Sequence, residues 1–327
     1  MRILFGEPDH EPPMILSHPP VISRVHGPRS ISEYAMAEYV LDVDATYKNP
    51  FDPADIAVDA FVTTPSGKRL DVPGFLYRPF RRTYGNATLP IAIPSIADVK
   101  AGRHAPTQNF DDAEVLVPTG KPSWRVRFAP TEPGSYQMTF AVRTRTGSFE
   151  KTCRLRSTKS SGGFVRISER DRRYFALDDG SSFWPLGENL AWAGHEGLKE
   201  YEKWIPDLAR SGANWARFWL SPTWTTFGLV QNDASKIDLG NAWRLDQAML
   251  LAQKYGIKVD LCIDSYNVLR DRVAWPEWER SAFNHLNGGP LAKPADFWTD
   301  PRAARLYCDR LRYVVARWGA SSSTMAW

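Results

Sequence analysis

Trp192, Trp219, Trp224, Trp275, Trp278 and Trp298 fall at the ends of strand-like segments or in the loops behind them, in a chain with thirteen tryptophans among 327 residues. An indole face stacks on the apolar face of a sugar ring, whose hydroxyls then need polar partners. The same rings also fill cores and interfaces, so both uses stay open at each position. Polar candidates stand nearby. Glu188 and Asn189 close one apolar segment and could bind sugar hydroxyls, although a solvated charge accounts for Glu188 equally well. Asp264 and Tyr266 close another, with a loop-capping aspartate as the plainer reading. Arg217 alternates with Trp215 and Trp219, which groups the three on one face of a strand. A structural ion pair is the bland use for that arginine.

Other chemistries find little support. Glu277 and Glu279 lie two apart in a loop and read as a solvated pair. His104, His195 and His285 show no ligand spacing, so no metal is expected. No Gly-x-Ser-x-Gly elbow occurs, which argues against a serine hydrolase. Cys153, Cys262 and Cys308 stand too far apart to imply a disulfide framework, and the last two sit in apolar periodic segments as small buried hydrophobes. No cofactor motif is found. The net charge of +4 is spread among acids without a Lys/Arg block, so nucleic acid is a poor partner. No run of 18 apolar residues exists, which predicts no membrane span. Met1 to Phe5 is too short for the apolar core of a signal peptide.

The elements that must position these residues divide the chain in order. Residues 1–30, rich in Pro and His, read as an irregular arm. Residues 31–157 read as an all-β sandwich, with alternation over Ile56–Val62, Trp124–Phe128 and Tyr136–Val142. Pro133-Gly134 feeding a strand that opens with Tyr136 suits the corner of an immunoglobulin-like sandwich. The stretch 82–122 is ambiguous and has room for a long loop. Residues 158–163 form a flexible linker, and short hairpins follow to Trp184.

Strands and helices alternate in the remainder of 164–327. A first strand runs from Phe183 to Gly187 and ends near Asn189. A helix then places Tyr201, Trp204, Ile205 and Leu208 on one face, with Pro206 kinking it or marking its start. Trp215–Leu220 is the second strand. Leu245, Met249 and Ala252 mark the second helix, and Ile257–Ile263 the third strand. The third helix has the clearest signals: Asp300 as cap, Pro301 in the first turn, and Gly319 as stop. Ala304, Tyr307, Cys308, Leu311, Val315 and Trp318 form its expected buried stripe. Thr324–Trp327 begins a fourth strand. Such alternation predicts a parallel sheet, and the glycine-rich phosphate turn of a dinucleotide fold is missing after strand one. Three βα units plus a strand fragment make half of a (β/α)₈ barrel.

Two sets of segments resemble known families. Asn49-Pro50-Phe51-Asp52-Pro53, Phe61 to Lys68, Val72-Pro73-Gly74-Phe75 and Val126 to Gly134 look like the immunoglobulin-like domain of unknown function found ahead of cellulase-like barrels. Phe183 to Asn189, Gly212 to Arg217, Asn287 to Leu291 and Leu311 to Gly319 resemble the clan A glycoside hydrolases. The resemblance covers about residues 33–327 and implies the first half of a TIM barrel behind the sandwich. It implies cleavage of O-glycosidic bonds in a β-linked polysaccharide or oligosaccharide, by a retaining route with two glutamates. The first glutamate, the acid/base, follows an Asn on strand four; the nucleophile ends strand seven. Neither is reached before Trp327, so the chain as given is expected to be inactive. The family's matching arginine, Arg217 here, points into the barrel and hydrogen-bonds the nucleophile. Glu188, Asn189, Trp192, Trp219, Asp264, Tyr266, Trp275 and Trp298 then become candidates for substrate binding. Export to the periplasm or outside the cell is a family expectation. A carbohydrate-binding protein without catalysis, or a structural fragment, is the alternative.

Overall fold

The computed structural model describes residues 18–90, 107–221, 226–231, 233–272 and 276–327. Eleven strands build the N-terminal part: β1 (Val21–His26), β2 (Ser30–Ser32), β3 (Ala37–Asp44), β4 (Ile56–Thr63), β5 (Arg69–Pro73), β6 (Phe75–Tyr77), β7 (Phe80–Pro90), β8 (Thr107–Pro118), β9 (Ser123–Phe128), β10 (Gly134–Thr144) and β11 (Gly147–Thr158). Nine of them form two sheets, ordered β1-β3-β9-β6 and β2-β11-β10-β4-β5. Alternation explains the packing. Tyr39, Leu41, Trp124 and Val126 on one sheet and Val58, Ala60, Met138, Phe140 and Val142 on the other are all buried in one core. Burying each large side chain contributes about 1.5–3 kcal/mol. At the Pro133-Gly134 turn the Tyr136 hydroxyl donates to the Glu132 carbonyl at 2.8 Å and accepts from the Glu132 N–H at 3.0 Å.

Two expectations for this part need correcting. The stretch expected to be irregular before residue 31 contributes β1, paired antiparallel with β3, because Ile22 is a core residue. The ambiguous stretch around 82–122 contains a long two-stranded hairpin, β7–β8, rather than a plain loop.

Past the sandwich, β12 (Val165–Ile167), β13 (Phe175–Leu177) and β14 (Ser182–Phe183) form a small antiparallel sheet, turned at Asp178-Asp179-Gly180. Then come β15 (Gly187–Asn189), α1 (Leu198–Arg210), β16 (Trp215–Trp219), α2 (Leu239–Lys254), β17 (Lys258–Cys262), α3 (Pro301–Trp318) and β18 (Thr324–Ala326). The last four strands are parallel and lie in sequence order, and the sheet is open at β15 and β18. Ala216, Phe218, Val259 and Leu261 are buried with Tyr201, Ile205, Leu245, Ala252 and Val314 of the helices. The first strand starts later than expected, since Phe183 belongs to β14 and only Gly187–Asn189 pair with β16. Pro206 lies inside α1. Four 3₁₀ turns order parts of the long segment between β17 and α3.

The third helix has the expected ends: the Asp300 carboxylate accepts from the Ala303 N–H at 2.8 Å, and Gly319 follows Trp318. Its buried stripe, however, is Ala303, Arg310, Tyr313, Val314, Ala316, Arg317 and Trp318. Ala304, Cys308 and Val315 are exposed, and Tyr307 and Leu311 are only half-buried. Two arginines have displaced the apolar stripe because each faces an acid, Arg317 the buried Asp246 and Arg310 the half-buried Asp264. Cys308 is therefore no core hydrophobe, and Cys262 is half-buried.

One of those acids joins the two parts of the fold. Asp246 of α2 accepts from Arg317 at 2.7 Å, from Arg127 of β9 at 2.8 and 3.1 Å, and from the Trp318 indole at 2.9 Å. Arg127 also donates to Glu38 of β3 at 2.7 Å and to the Arg317 carbonyl at 2.7 Å. Arg312 of α3 pairs with Asp59 of β4. The chain at Gly163 is tied too: the Lys258 ammonium donates to the carbonyls of Gly163 at 3.0 Å and Ser322 at 2.7 Å.

Candidate functional site

Ligands of open α/β sheets and of barrels gather at the carboxyl ends of the strands. In β16 and β17 the residues alternate cleanly. Ala216, Phe218, Val259 and Leu261 go under the helices, while Trp215, Arg217, Trp219, Lys258, Asp260 and Cys262 stay half-buried on the opposite face. Arg217 sits in the middle of this face. Its Nε donates to Asp260 at 3.3 Å, directly opposite it in register, and its guanidinium lies 5.8 Å from the Trp215 ring centroid. The arginine side chain remains 38% exposed, so one donor edge is engaged and the charge still faces the open side. Asp260 was not among the expected site residues, and the alternation of β17 is the signal that marks it. Beside it, burial and the neighbouring Asp260 push the Cys262 thiol up to about 11, against the pull of Arg217. It stays protonated at neutral pH.

Asn189 shares register with Arg217, while Glu188 is level with Ala216 and so falls on the helix side of the sheet. Both are exposed. Trp219, at the end of β16, meets Trp192 from the β15–α1 loop edge to face, with ring centroids 5.6 Å apart at 75°. The Trp219 indole N–H is buried and has no hydrogen-bond partner among the described residues. Trp192 leaves 44% of its surface open. This aromatic corner, Asn189, Arg217 and Asp260 together make the side of the sheet on which a sugar could lie.

A second group follows β17. Asp264 pairs with Arg310, a buried residue of α3, and the Tyr307 hydroxyl bonds the same carboxyl. Burial raises the Asp264 pKa and outweighs the lowering by Arg310 and Tyr307. Glu277 is pushed up to about 7 by burial, with Asp264 reinforcing the shift and Arg280 opposing it. A carboxyl in that range can hold or release a proton near neutral pH. Glu277 is therefore not the solvated charge expected from its loop position; the half-burial that changes its chemistry comes from the fold of the loop. Tyr266 is 67% exposed, with the Arg270 guanidinium 4.9 Å from its ring centroid.

The other tryptophans separate. Trp278 is buried in the core and offers no platform. Trp298 is 77% exposed and meets Phe297 edge to face just ahead of α3. Trp224, Trp275 and His104 lie outside the described residues. His195 faces Asp112 of β8 at 3.1 Å, and His285 bonds the Leu291 carbonyl at 3.2 Å. Among the described residues no three His, Cys, Asp or Glu side chains group to hold a metal, and no helix is long and apolar enough to cross a membrane.

No family model and no curated protein matches the chain. Among solved structures, a protein of Bacteroides vulgatus ATCC 8482 provisionally named a glycoside hydrolase aligns with a TM-score of 0.55 at 14% identity, over 91% of this chain and 49% of that one. A β-glucuronidase of Parabacteroides merdae aligns at a TM-score of 0.22 and 12% identity, over 73% of this chain and 24% of its own. A Bacteroides fragilis protein provisionally named a β-galactosidase gives 0.22 and 12%, over 80% and 32%. The last two alignments are too loose to bear on the fold. The first shows a shared fold, over a chain that spans about half the length of the structure it matches.

Proposed function

We propose that this chain forms part of a retaining glycoside hydrolase: an immunoglobulin-like sandwich, residues 31–157, followed after the 158–163 linker by the first half of a (β/α)₈ barrel, residues 164–327. Four parallel strands in sequence order with helices on one face support the barrel reading, since successive staves of a barrel stand side by side. The fold shared with the Bacteroides vulgatus protein agrees with it. The single observation that carries the function is the face holding Arg217 and Asp260 in mid-strand, with Asn189 and the Trp192–Trp219 corner at the carboxyl ends of β15 and β16.

In this reading two glutamates about 5–5.5 Å apart perform the cleavage, one as nucleophile and one as acid then base. Arg217 supports them. A fixed guanidinium lowers the pKa of a nearby carboxyl and keeps the nucleophile ionised. Asp260 orients that guanidinium beforehand. Asn189, Asp264 and Tyr266 bind hydroxyls, and Trp192, Trp219 and Trp298 stack on ring faces. Glu188, level with the helix side, belongs to the site only at its outer edge.

The test uses the product of the whole reading frame on a panel of β-linked polysaccharides. Reducing-end release is measured, and the anomer of the first product is read by NMR. Release with retention of the anomer supports the reading. Inversion rules out the glutamate nucleophile. Binding without release on every substrate transfers the chain to the non-catalytic carbohydrate-binding class.

A further inference from the structure

Helix α1 starts without a side-chain cap of its own. Gly197 occupies its N-cap position and has no side chain to offer; Lys199 and Glu200 donate to the Glu196 and Gly197 carbonyls, which leaves the Leu198 N–H in need of an acceptor. The acceptor comes from the N-terminal part of the chain. The carboxylate of Glu114, on β8, is buried and accepts from the Leu198 N–H at 2.9 Å. A negative charge is favoured at that end of a helix. The same carboxylate holds Arg244 of α2, and the Glu114 N–H donates to the His195 carbonyl at 2.8 Å. Gly197 has a φ of +55°, and a Cβ there would lie 2.7 Å from Glu114 Oε1. Glycine is what lets the carboxylate in.

The contact continues on both sides of Glu114. His195 Nε2 lies 3.1 Å from Asp112 Oδ1, and its ring stacks on Phe110 at 4.1 Å and 13°. Arg82 of β7 reaches Glu202 of α1 at 2.6 Å. Nearer the base of the hairpin, Phe80 packs against Trp243 of α2, with centroids 6.3 Å apart. The hairpin therefore runs past the N-terminal ends of α2 and α1, which is the end of the sheet where the strands finish. Phe110, Asp112 and Glu114 all hold the 190–197 loop at His195, three residues after Trp192 of the same loop.

We infer that the β7–β8 hairpin is a strut that positions Trp192 against Trp219, so that an element of the N-terminal part sets one wall of the sugar-facing site. Phe110, Asp112, Glu114 and His195 are its positioning residues. The inference rests on the Trp192–Trp219 corner facing sugar, and its test separates the two ideas.

Hydrogen exchange is measured on the full chain for the 190–197 loop and the first turn of α1, in the wild type and in Phe110→Ala, His195→Ala and Phe110→Trp. The two alanine variants are expected to exchange at least tenfold faster in the loop, with β3 and β9 unchanged, and Phe110→Trp to restore the slow rate through its own ring stack. Unchanged loop exchange overturns the strut, and so does equal acceleration throughout the chain. Separately, cellohexaose, xylohexaose and mannohexaose are titrated against tryptophan fluorescence. A response lost in Trp192→Ala and weakened at least fivefold in Phe110→Ala supports positioning. If Trp192→Ala abolishes binding while Phe110→Ala leaves it intact, the strut fails and the sugar reading stands. If Trp192→Ala changes nothing, the sugar reading of the corner fails, and exchange alone decides the strut.

Discussion

Replacing Asp246 by Asn keeps the shape of the side chain and removes one charge from the joint between sandwich and helices. Burial by itself would raise this carboxyl. Arg317 and Arg127 overcome that and hold it at about 2, from an ordinary value of 3.8. That lowering corresponds to stability on the order of 2–3 kcal/mol carried by the ionised form. The substitution also leaves two buried guanidinium groups short of an anion. Removing one partner of a buried pair costs about 3–5 kcal/mol. Arg127 keeps Glu38, and Arg317 keeps the Tyr313 hydroxyl as acceptor at 2.6 Å, so the lower part of that range applies. At about 2–4 °C per kcal/mol, melting at pH 7 should fall by on the order of 10 °C. The pH dependence has a fixed sign. The folded pKa is depressed, so the stabilisation is complete above the unfolded value near 4 and is lost as pH falls towards 2. Thermal melts followed by circular dichroism at pH 7 and pH 3 measure both effects, and the gap between wild type and variant should narrow at the lower pH. A variant that melts within 2 °C of wild type at pH 7, or a gap that widens in acid, would refute the reasoning.

Three further outcomes are expected. In the product of the whole reading frame, Arg217→Ala should lower turnover by orders of magnitude with melting nearly unchanged, because its pair with Asp260 is partly exposed and such pairs stabilise little; unaltered turnover removes Arg217 from the site. Glu277 has a raised folded pKa, so the folded protein binds more protons there than the unfolded chain, and wild-type stability should decline between about pH 4.5 and pH 7. Glu277→Gln should flatten that decline in a pH series of urea melts; an identical slope counts against the burial argument. The sheet edges at β15 and β18 are unpaired among the described residues, with Trp184 and Leu186 exposed beside the first. The 327-residue chain should therefore self-associate in size-exclusion chromatography, and a monomer with one cooperative melt would contradict this.

Elements with local signals were readable from the sequence. Asp300, Pro301 and Gly319 delimit α3 because capping and helix termination depend on residues next to one another. Alternation likewise marks β4, β9, β10 and β16. The buried face of α3 was not readable, because an apolar stripe assigns Arg310 and Arg317 to water. Their partners, Asp264 and Asp246, lie 46 and 71 residues away and could not be paired by inspection. The same holds at the site. Arg217 and Trp219 show themselves through strand alternation, but Asp260 gains meaning only once β17 lies beside β16. Glu277 looks like any loop acid until the loop folds over it. The hairpin was obscure because its partners are α1 and α2, more than eighty residues downstream.

Lys258 changes what the glycines at 162 and 163 can do. By composition they resemble a slack tether, yet the ammonium clasps the Gly163 carbonyl together with that of Ser322, just ahead of β18. The point where the chain crosses from one layered unit to the next is thus stitched to the base of the parallel sheet. Inserting extra residues after Ser161 would lengthen a bight of chain upstream of the stitch, and the two units would keep their mutual orientation.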